Sequence, residues 1–533
     1  MVKPLRWLRF VWLSAAAAVG LVVVLSFCRF HTAENGFTYV LDFGETIDRP
    51  RLADVSRLPI YVHEGVPGYD SQFYSQLALD PWLTEPELES VIDSFPYRSR
   101  RLLMGAVAWT IGLGDPWRVL NAYAVINLAT WIALAAMLLR WFPPVGVHEF
   151  LRWSGVMLAG GTLLSLRHAL TDGPALLVLA VTMLLYESRR PWAAAISGAL
   201  GSLTRETSVL DAVIFLPTTW NRRREWLVAC LRGLVVMAPL VFWMAYVNYV
   251  ADASVGDGAG HRNLTLPLVA YFGRWKELIS AGMETTGAAY VVYALLGHLA
   301  LTVQAAWMVC RPQWSSAWWR VGAVHVVLMA ALGEAVWEGF PGAAMRVLLP
   351  LTLAFNVLVP KTRLGLALLV VGNLSVLSGI QDLEPPPRAI STVTASEEVQ
   401  RSVDVGMPVI VRFGEGFYGP ENFGERSWRW TSGDARMELV NNTTVPLTVR
   451  LRLTLATRER RPVRVVCGER ELWAGDVEGS PSDVDCGLLT LPVGETFVAI
   501  RSRTVEFAVG DDRPLAVRVF GVDVRVEAIG PDR

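Results

Sequence analysis

Charged side chains are scarce in this chain. They make up 18% of its 533 residues, whereas 53% are hydrophobic and the mean hydropathy is +0.37. Soluble globular domains carry about 25% charged residues, so the composition argues against an ordinary soluble protein. The net charge is −1, from 48 basic and 49 acidic residues, which leaves no global positive field to recruit nucleic acid.

Cysteines and catalytic signatures are also few. Five cysteines without a Cys-x-x-Cys pair argue against a thiolate zinc site and a disulfide-dense scaffold. No Walker motif, Gly-x-Ser-x-Gly elbow or His-Glu-x-x-His helix occurs, nor a Gly-x-Gly-x-x-Gly turn opening a βαβ unit. Nucleotide hydrolysis, serine hydrolysis, zinc proteolysis and dinucleotide redox chemistry therefore have no support.

Long apolar runs, in contrast, are abundant, and about 20 apolar residues suffice to cross a bilayer. We predict a polytopic α-helical membrane domain over residues 1–382 with about eleven spans. The runs lie near 8–27, 117–139, 153–168, 174–187, 192–204, 207–219, 227–249, 287–309, 319–336, 342–359 and 364–380.

Basic residues set the expected orientation. Lys3, Arg6 and Arg9 precede the first run, which places the N-terminus in the cytoplasm. A cleaved signal peptide is the alternative, but the run is longer than usual and lacks a small-x-small cleavage site. We expect a multi-pass protein of a bacterial inner (plasma) membrane, with a large external loop over 28–115.

The composition changes at a Pro-rich linker over 383–392. Beyond it, residues 393–533 alternate apolar and polar side chains, as in 449–455, which is typical of strands. We predict an external, all-β sandwich domain that acts as an accessory module. Cys467 and Cys486 are its only cysteines, and we predict that they form a disulfide, which an external compartment permits.

Ionisable residues collect at the predicted outer ends of several spans, where they are costly and tend to be functional. Any one of these residues could simply extend its charged group to the membrane interface. Their occurrence at the same level in several spans favours a shared site. The residues are Arg167, His168, Asp172, Arg205, Glu206, Glu334, Glu338 and Arg346.

The external loop contains two further sequence segments with candidate functional residues. In Gly68–Pro81, Asp70 opens a short helix, where its carboxylate acts either as a proton acceptor or as an ordinary N-cap. In Tyr97–Arg101, three arginines precede an apolar segment, where they bind either a substrate phosphate or lipid headgroups.

This layout resembles the GT-C superfamily of bacterial membrane glycosyltransferases, in particular mannosyltransferase-like members. The resemblance lies in the Tyr-Asp-x-Gln-Phe-Tyr string, the Tyr-Arg-x-x-Arg segment, the Arg-Glu-Thr string at 205–207 and the Phe417–Glu421 and Trp428–Trp430 segments. It implies a hexosyltransferase that moves a sugar from a polyprenyl-phosphate donor to a glycan, lipid or protein acceptor on the external face.

The resemblance also implies roles for individual residues. Asp70 would be the general base and Asp172 a second acidic member. No Asp-x-Asp or Glu-x-Asp pair occurs in the first loop, so the divalent metal of some relatives is left open, and Ser71 stands where glycine is common. The expected donor-phosphate ligands are Arg98, Arg101, Arg205 and Arg346, and the expected substrate contacts are Tyr69, Gln72, Tyr74, Glu206 and Glu334.

Two other functions remain open from the sequence. A lipid-linked substrate transporter or flippase would place its site near the bilayer midplane within inverted repeats. The sequence shows neither a cluster of carboxylates in the middle of the spans nor an internal repeat. A non-catalytic glycan-binding envelope protein would use Trp428, Trp430 and Trp473 to stack on sugars, although tryptophans more often belong to a core.

Overall fold

A computed structural model gives the fold. The residues described are 6–33, 35–63, 66–218, 222–251, 261–283, 288–338, 342–384, 390–395, 399, 408–423, 426–503, 506–508 and 511–530. Much of the predicted linker, 385–389, therefore lies outside the described residues.

The N-terminal part is helical, as its apolar runs predict. Helix ends are fixed locally: Asp115, Ser316 and Thr362 each accept a hydrogen bond from the backbone N–H three residues on, which satisfies a helix-terminal donor. The α-helices are α1 Arg6–Cys28, α2 Ala53–Ser56, α3 Ser71–Leu77, α4 Leu88–Val91, α5 Phe95–Arg98, α6 Leu102–Gly112, α7 Pro116–Leu138, α8 Val147–Met157, α9 Gly160–Arg167, α10 Asp172–Glu187, α11 Pro191–Thr204, α12 Arg223–Val250, α13 Val269–Met283, α14 Ala288–Cys310, α15 Ala317–Ala331, α16 Glu334–Glu338, α17 Ala343–Val347, α18 Leu349–Leu358, α19 Arg363–Gly372 and α20 Val376–Gly379.

Within the described residues, four helices are long and apolar enough to cross a membrane, in agreement with membrane association. They are α1, α7, α12 and α14, and a fifth candidate is the pair α19–α20, which bends by 42°. The remaining predicted runs form shorter or interrupted helices. The run at 153–168 is divided between α8 and α9, and that at 207–219 contains a 3₁₀ segment, Glu206–Phe215. The eleven spans thus stay a prediction.

The C-terminal part is built of β-strands, which agrees with its alternating pattern. The strands of the chain are β1 Phe43–Gly44, β2 Val62–His63, β3 Ser391–Ala395, β4 Val409–Phe413, β5 Glu421–Phe423, β6 Arg426–Trp430, β7 Asp434–Asn441, β8 Leu447–Ala456, β9 Arg461–Cys467, β10 Arg470–Val477, β11 Ser482–Leu491, β12 Gly494–Arg501, β13 Glu506–Ala508, β14 Asp511–Leu515 and β15 Arg518–Ile529.

Two sheets account for most of these strands. One has the order β10-β9-β12-β7-β4, and the other has the order β11-β8-β15-β6-β5, with β3 added parallel to β15. Inward-facing residues of both sheets, such as Val465, Leu451 and Val524, belong to one buried cluster. Alternation supplies this apolar face from each sheet, and the arrangement is consistent with the predicted sandwich.

Contacts divide the chain into two compact units. The first comprises 1–32, 36–56 and 61–385, and the second comprises 33–35, 57–60 and 386–533. The domain limits derived from the sequence, 382 and 392, remain predictions.

The predicted disulfide is absent, since Cys467 and Cys486 are both free. The prediction assumed that their strands are neighbours. Instead, β9 pairs with β10 and β12, whereas β11 pairs with β8 in the other sheet. The two thiols therefore belong to different sheets, and the sequence prediction was wrong on this point.

We expect both thiols to stay free in protein purified without reductant. Burial raises the pKa of Cys486 to about 12 and also raises that of Cys467, so neither forms the reactive thiolate at neutral pH. Maleimide labelling after denaturation without reductant should modify both residues, as it does after reduction. A disulfide-linked 467–486 peptide in the unreduced digest would contradict the free state of the two thiols.

Candidate active site

Two short strands of the external loop, β1 and β2, pair in parallel. Gly68, which forms a bridge to Phe43, has a φ of +76°, and a Cβ there would lie 2.3 Å from the carbonyl oxygen of Asp42. Only glycine fits this close approach. The turn presents Tyr69 and Asp70, and the Tyr69 N–H donates to the Asp42 carbonyl at 3.1 Å.

Asp70 occupies the N-cap position of α3 but forms no side-chain capping bond. Its Oδ1 lies 3.0 Å from Nη1 of Arg98. Burial by itself would raise the pKa of Asp70, but the guanidinium of Arg98, followed by those of Arg346 and Arg101, more than offsets this and lowers it. Asp70 is therefore an ionised, half-buried carboxylate among arginines, and the capping alternative lacks its defining contact.

Arg98 is held from three sides. Its Nη2 donates to Oδ2 of Asp93 at 2.7 Å, with a second bond from Nε to Oδ1. Its guanidinium also lies 4.4 Å from the ring centre of Phe73, a cation–π distance. These contacts fix the guanidinium that faces Asp70.

Arg101 forms a second buried ion pair. Its Nε and Nη2 donate to the two oxygens of Glu206 at 3.1 and 3.0 Å, a two-point pairing that fixes orientation. Nη1 and Nη2 also donate to the hydroxyls of Tyr74 and Tyr97. Burial, opposed by Arg101, raises the pKa of Tyr74 to about 12, so this phenol stays protonated and can still donate its own proton.

Asp172, at the start of α10, is shared by two arginines. Nη1 of Arg346, on α17, donates to its Oδ2 at 3.1 Å, while Nη1 of Arg205, at the end of α11, pairs with Oδ1. Nη2 of Arg346 also donates to the Tyr69 hydroxyl at 2.5 Å. Arg346 thus joins Asp172 to the residue that precedes Asp70.

This trio carries unbalanced charge, because two guanidinium groups face one carboxylate whose side chain is 1% exposed. A small cavity beside the trio is lined by Asp172, Arg205 and Arg346 and also by Asp211. No ion pair between Asp211 and either arginine occurs among the described contacts. Glu206 and Asp70 act electrostatically on Arg205 and Arg346 from outside the trio. The excess positive charge is therefore local to the trio, where an additional anion would meet two guanidinium groups.

A second cluster, which the sequence analysis missed, centres on Asp42. Its Oδ2 lies 2.7 Å from Nδ1 of His168 and accepts a bond from Ser71 Oγ at 3.1 Å, and its Oδ1 lies 3.6 Å from Arg167. Burial would raise the pKa of Asp42, but His168 in particular lowers it. Arg167 and His168 stood out from their place at a span end, whereas nothing in the sequence distinguishes Asp42.

The structure thus brings most of the predicted site residues together in the first unit, apart from two. Gln72 accepts a bond from Gly44 N and donates to the carbonyl of Pro67, so its amide secures the loop. Glu334 is exposed at the start of α16 and joins none of these ion pairs among the described residues. The structure therefore does not bring Glu334 to the arginine cluster, where the predicted substrate contact would require it.

The acidic residues of the cluster do not fit a divalent metal. Asp70, Asp172 and Glu206 each pair with arginine, whereas a hard cation needs several free carboxylate oxygens. Among the described residues, no three His, Cys, Asp or Glu side chains lie together as a potential metal site.

Comparisons with known proteins do not assign a family. No protein-family model matches the chain, and no curated protein matches it. Among solved structures, a ruminal GH26 endo-β-1,4-mannanase is similar over 22% of this chain and 21% of its own, with 14% identity and a TM-score of 0.13. A similarity this low carries no argument about fold or function.

We expect Asp172→Asn to destabilise the protein strongly. Its loss leaves Arg205 and Arg346 without a counter-ion in a buried site, at a cost of about 3–5 kcal/mol. Thermal unfolding in detergent measures the effect. Glu87→Gln is the matched control, because Glu87 is exposed in the external loop and makes no side-chain capping bond. Equal melting temperatures for the two variants would show that the shared ion pair is not needed for stability.

Proposed function

We propose that this protein is an inverting membrane glycosyltransferase that transfers a sugar from a polyprenyl-phosphate donor to an acceptor on the external face. The observation that carries the proposal is the charge distribution of the cluster. A half-buried, ionised carboxylate, Asp70, lies among arginines, two of which, Arg205 and Arg346, share a single carboxylate. A base next to an anion site is what this transfer requires.

The unbalanced trio supports the donor side. A phosphate that met Arg205 and Arg346 would supply the negative charge that Asp172 alone does not. Arginine is suited to this because its planar guanidinium offers paired donors to phosphate oxygens. In the reaction, the bond from the anomeric carbon to the phosphate oxygen breaks and its electron pair leaves with the phosphate, whose charge these arginines would stabilise.

Asp70 supports the acceptor side. Its carboxylate is not used to cap α3, and its lowered pKa keeps it ionised at neutral pH. It would orient the acceptor hydroxyl and take its proton as the hydroxyl oxygen bonds to the anomeric carbon. Because a low pKa makes a weak base, proton transfer would come late, when the new bond has made the hydroxyl acidic.

The proposal includes the finer membrane arrangement. About eleven spans of GT-C-like layout would place the N-terminus in the cytoplasm, and the external loop and β domain outside a bacterial inner membrane. The β domain would bind or position the acceptor. Four long apolar helices and a bent pair are compatible with this arrangement.

We expect Asp70→Asn to lower transfer by about a hundredfold or more, the scale of a lost general base. Asparagine keeps the size of the side chain, so the melting temperature should change little. The measurement is single-turnover transfer of labelled sugar from purified polyprenyl-phosphate donors in proteoliposomes, with Glu87→Gln as the control that retains activity.

The alternatives give different outcomes in the same proteoliposomes. A flippase would move the lipid-linked sugar across the bilayer without transferring it, and a glycan-binding protein would do neither. Wild-type transfer by a folded Asp70→Asn protein would remove Asp70 from the mechanism.

We also predict that Arg98→Gln shifts the acid limb of the pH–rate profile to higher pH. Burial raises the pKa of Asp70, and Arg98 is the largest influence that lowers it. With Arg98 neutralised, the folded-state pKa rises, so Asp70 becomes protonated and inactive at a higher pH than in the wild type. A limb that keeps its position while the maximal rate falls would indicate that Asp70 is not the titrating base.

A further inference from the structure

A separate cavity of about 290 Å³ lies among α9, α13, α14, α16 and α17. Its volume is close to the lower end of ordinary ligand sites, and about twice that of an apolar cavity that accommodates benzene. Its wall is largely apolar, and includes Leu164, Leu278, Ala294, Leu301, Ala344 and Met345.

One side of the cavity is aromatic. The imidazole of His298, on α14, stacks on Tyr271 with ring centres 4.9 Å apart, and meets the edges of Trp275 and Trp337 at 4.7 Å each. His298 is 4% exposed and Trp337 is 6% exposed. Three neighbouring rings therefore hold the imidazole in one orientation.

Both lining residues keep a buried nitrogen without a hydrogen-bond partner among the described residues, Nε2 of His298 and Nε1 of Trp337. The lining also includes Tyr293, Ser378, Gln381 and Asp382, and two further polar residues of the lining form ion pairs. His168 pairs with Asp42 through Nδ1, and Arg274 pairs with Glu277. A buried polar atom left unpaired costs free energy, so these two nitrogens favour a ligand that bonds to them.

The two nitrogens differ in what they offer. Indole Nε1 can only donate. Nε2 of His298 has no hydrogen-bond partner among the described residues, and its role depends on which ring nitrogen carries the proton. With its proton on Nδ1, a neutral imidazole presents Nε2 as an acceptor. A hydroxyl group both donates and accepts, so it satisfies the pair.

We propose that this cavity binds a single-chain lipid alcohol, with its hydroxyl between His298 and Trp337 and its chain along the apolar wall. The site is distinct from the arginine cluster, which suits a phosphate. When ionised, a phosphate or carboxylate could not donate a hydrogen bond to Nε2. The inference does not depend on sugar transfer.

The test compares two probes on wild-type protein in lipid nanodiscs. One is a diazirine-bearing long-chain fatty alcohol, and the other is its methyl ether, which keeps the chain and one acceptor oxygen but cannot donate. We expect the alcohol to label peptides of α13, α14 or α16 about tenfold more than the ether does, since the ether forfeits a buried hydrogen bond and leaves Nε2 unpaired.

Two variants locate the hydroxyl. His298→Phe and Trp337→Phe keep an aromatic ring but remove the acceptor or the donor, so each should reduce alcohol labelling to the level of the ether. Trp109→Phe is the control, since Trp109 is 37% exposed and does not line the cavity. Equal labelling of wild type by alcohol and ether, or undiminished labelling of the folded variants, would overturn the proposal. If the variants fail to fold, the wild-type comparison decides.

Discussion

The candidate site depends on one shared carboxylate. Asp172 pairs with Arg205 and Arg346. These three residues come from three separate helical segments. Separating the three segments would leave buried charges without their partners, which is costly, so the ion pairs hold the ends of α10, α11 and α17 together. Arg346 then extends the constraint to the external loop through Tyr69.

Three consecutive residues of that loop contact three different charged residues. Tyr69 accepts a bond from Arg346, Asp70 pairs with Arg98, and Ser71 donates to Asp42. Each contact restrains the loop from a different direction. The carboxylate of Asp70 is therefore preorganised, which matters for a base because small displacements of a reacting group reduce the rate.

His168 lies between the charged cluster and the apolar cavity. Its Nδ1 pairs with Asp42, its ring meets the ring of Tyr69 at 5.6 Å, and it also lines the cavity. The two sites thus have a common wall but opposite chemistry. One offers cations to an anion, and the other offers a largely apolar wall with two unpaired ring nitrogens.

Composition and periodicity by themselves determined that the N-terminal part is helical and apolar, that the C-terminal part is stranded, and that charge collects at helix ends. They did so because each depends on local spacing along the chain. The same local patterns could not show where a helix breaks, as between α8 and α9, and so the number of spans remained a prediction.

Only the tertiary structure decided the partners. Asp172 and Arg346 are 174 residues apart in the chain, and no motif in either segment predicts that the two side chains pair. Asp42 lies in a segment without any recognisable motif. Likewise, alternation indicates a strand but not its sheet, and Cys467 and Cys486 therefore came to belong to different sheets. Pairing between distant segments is set by packing and by the neutralisation of buried charge, which no local pattern encodes.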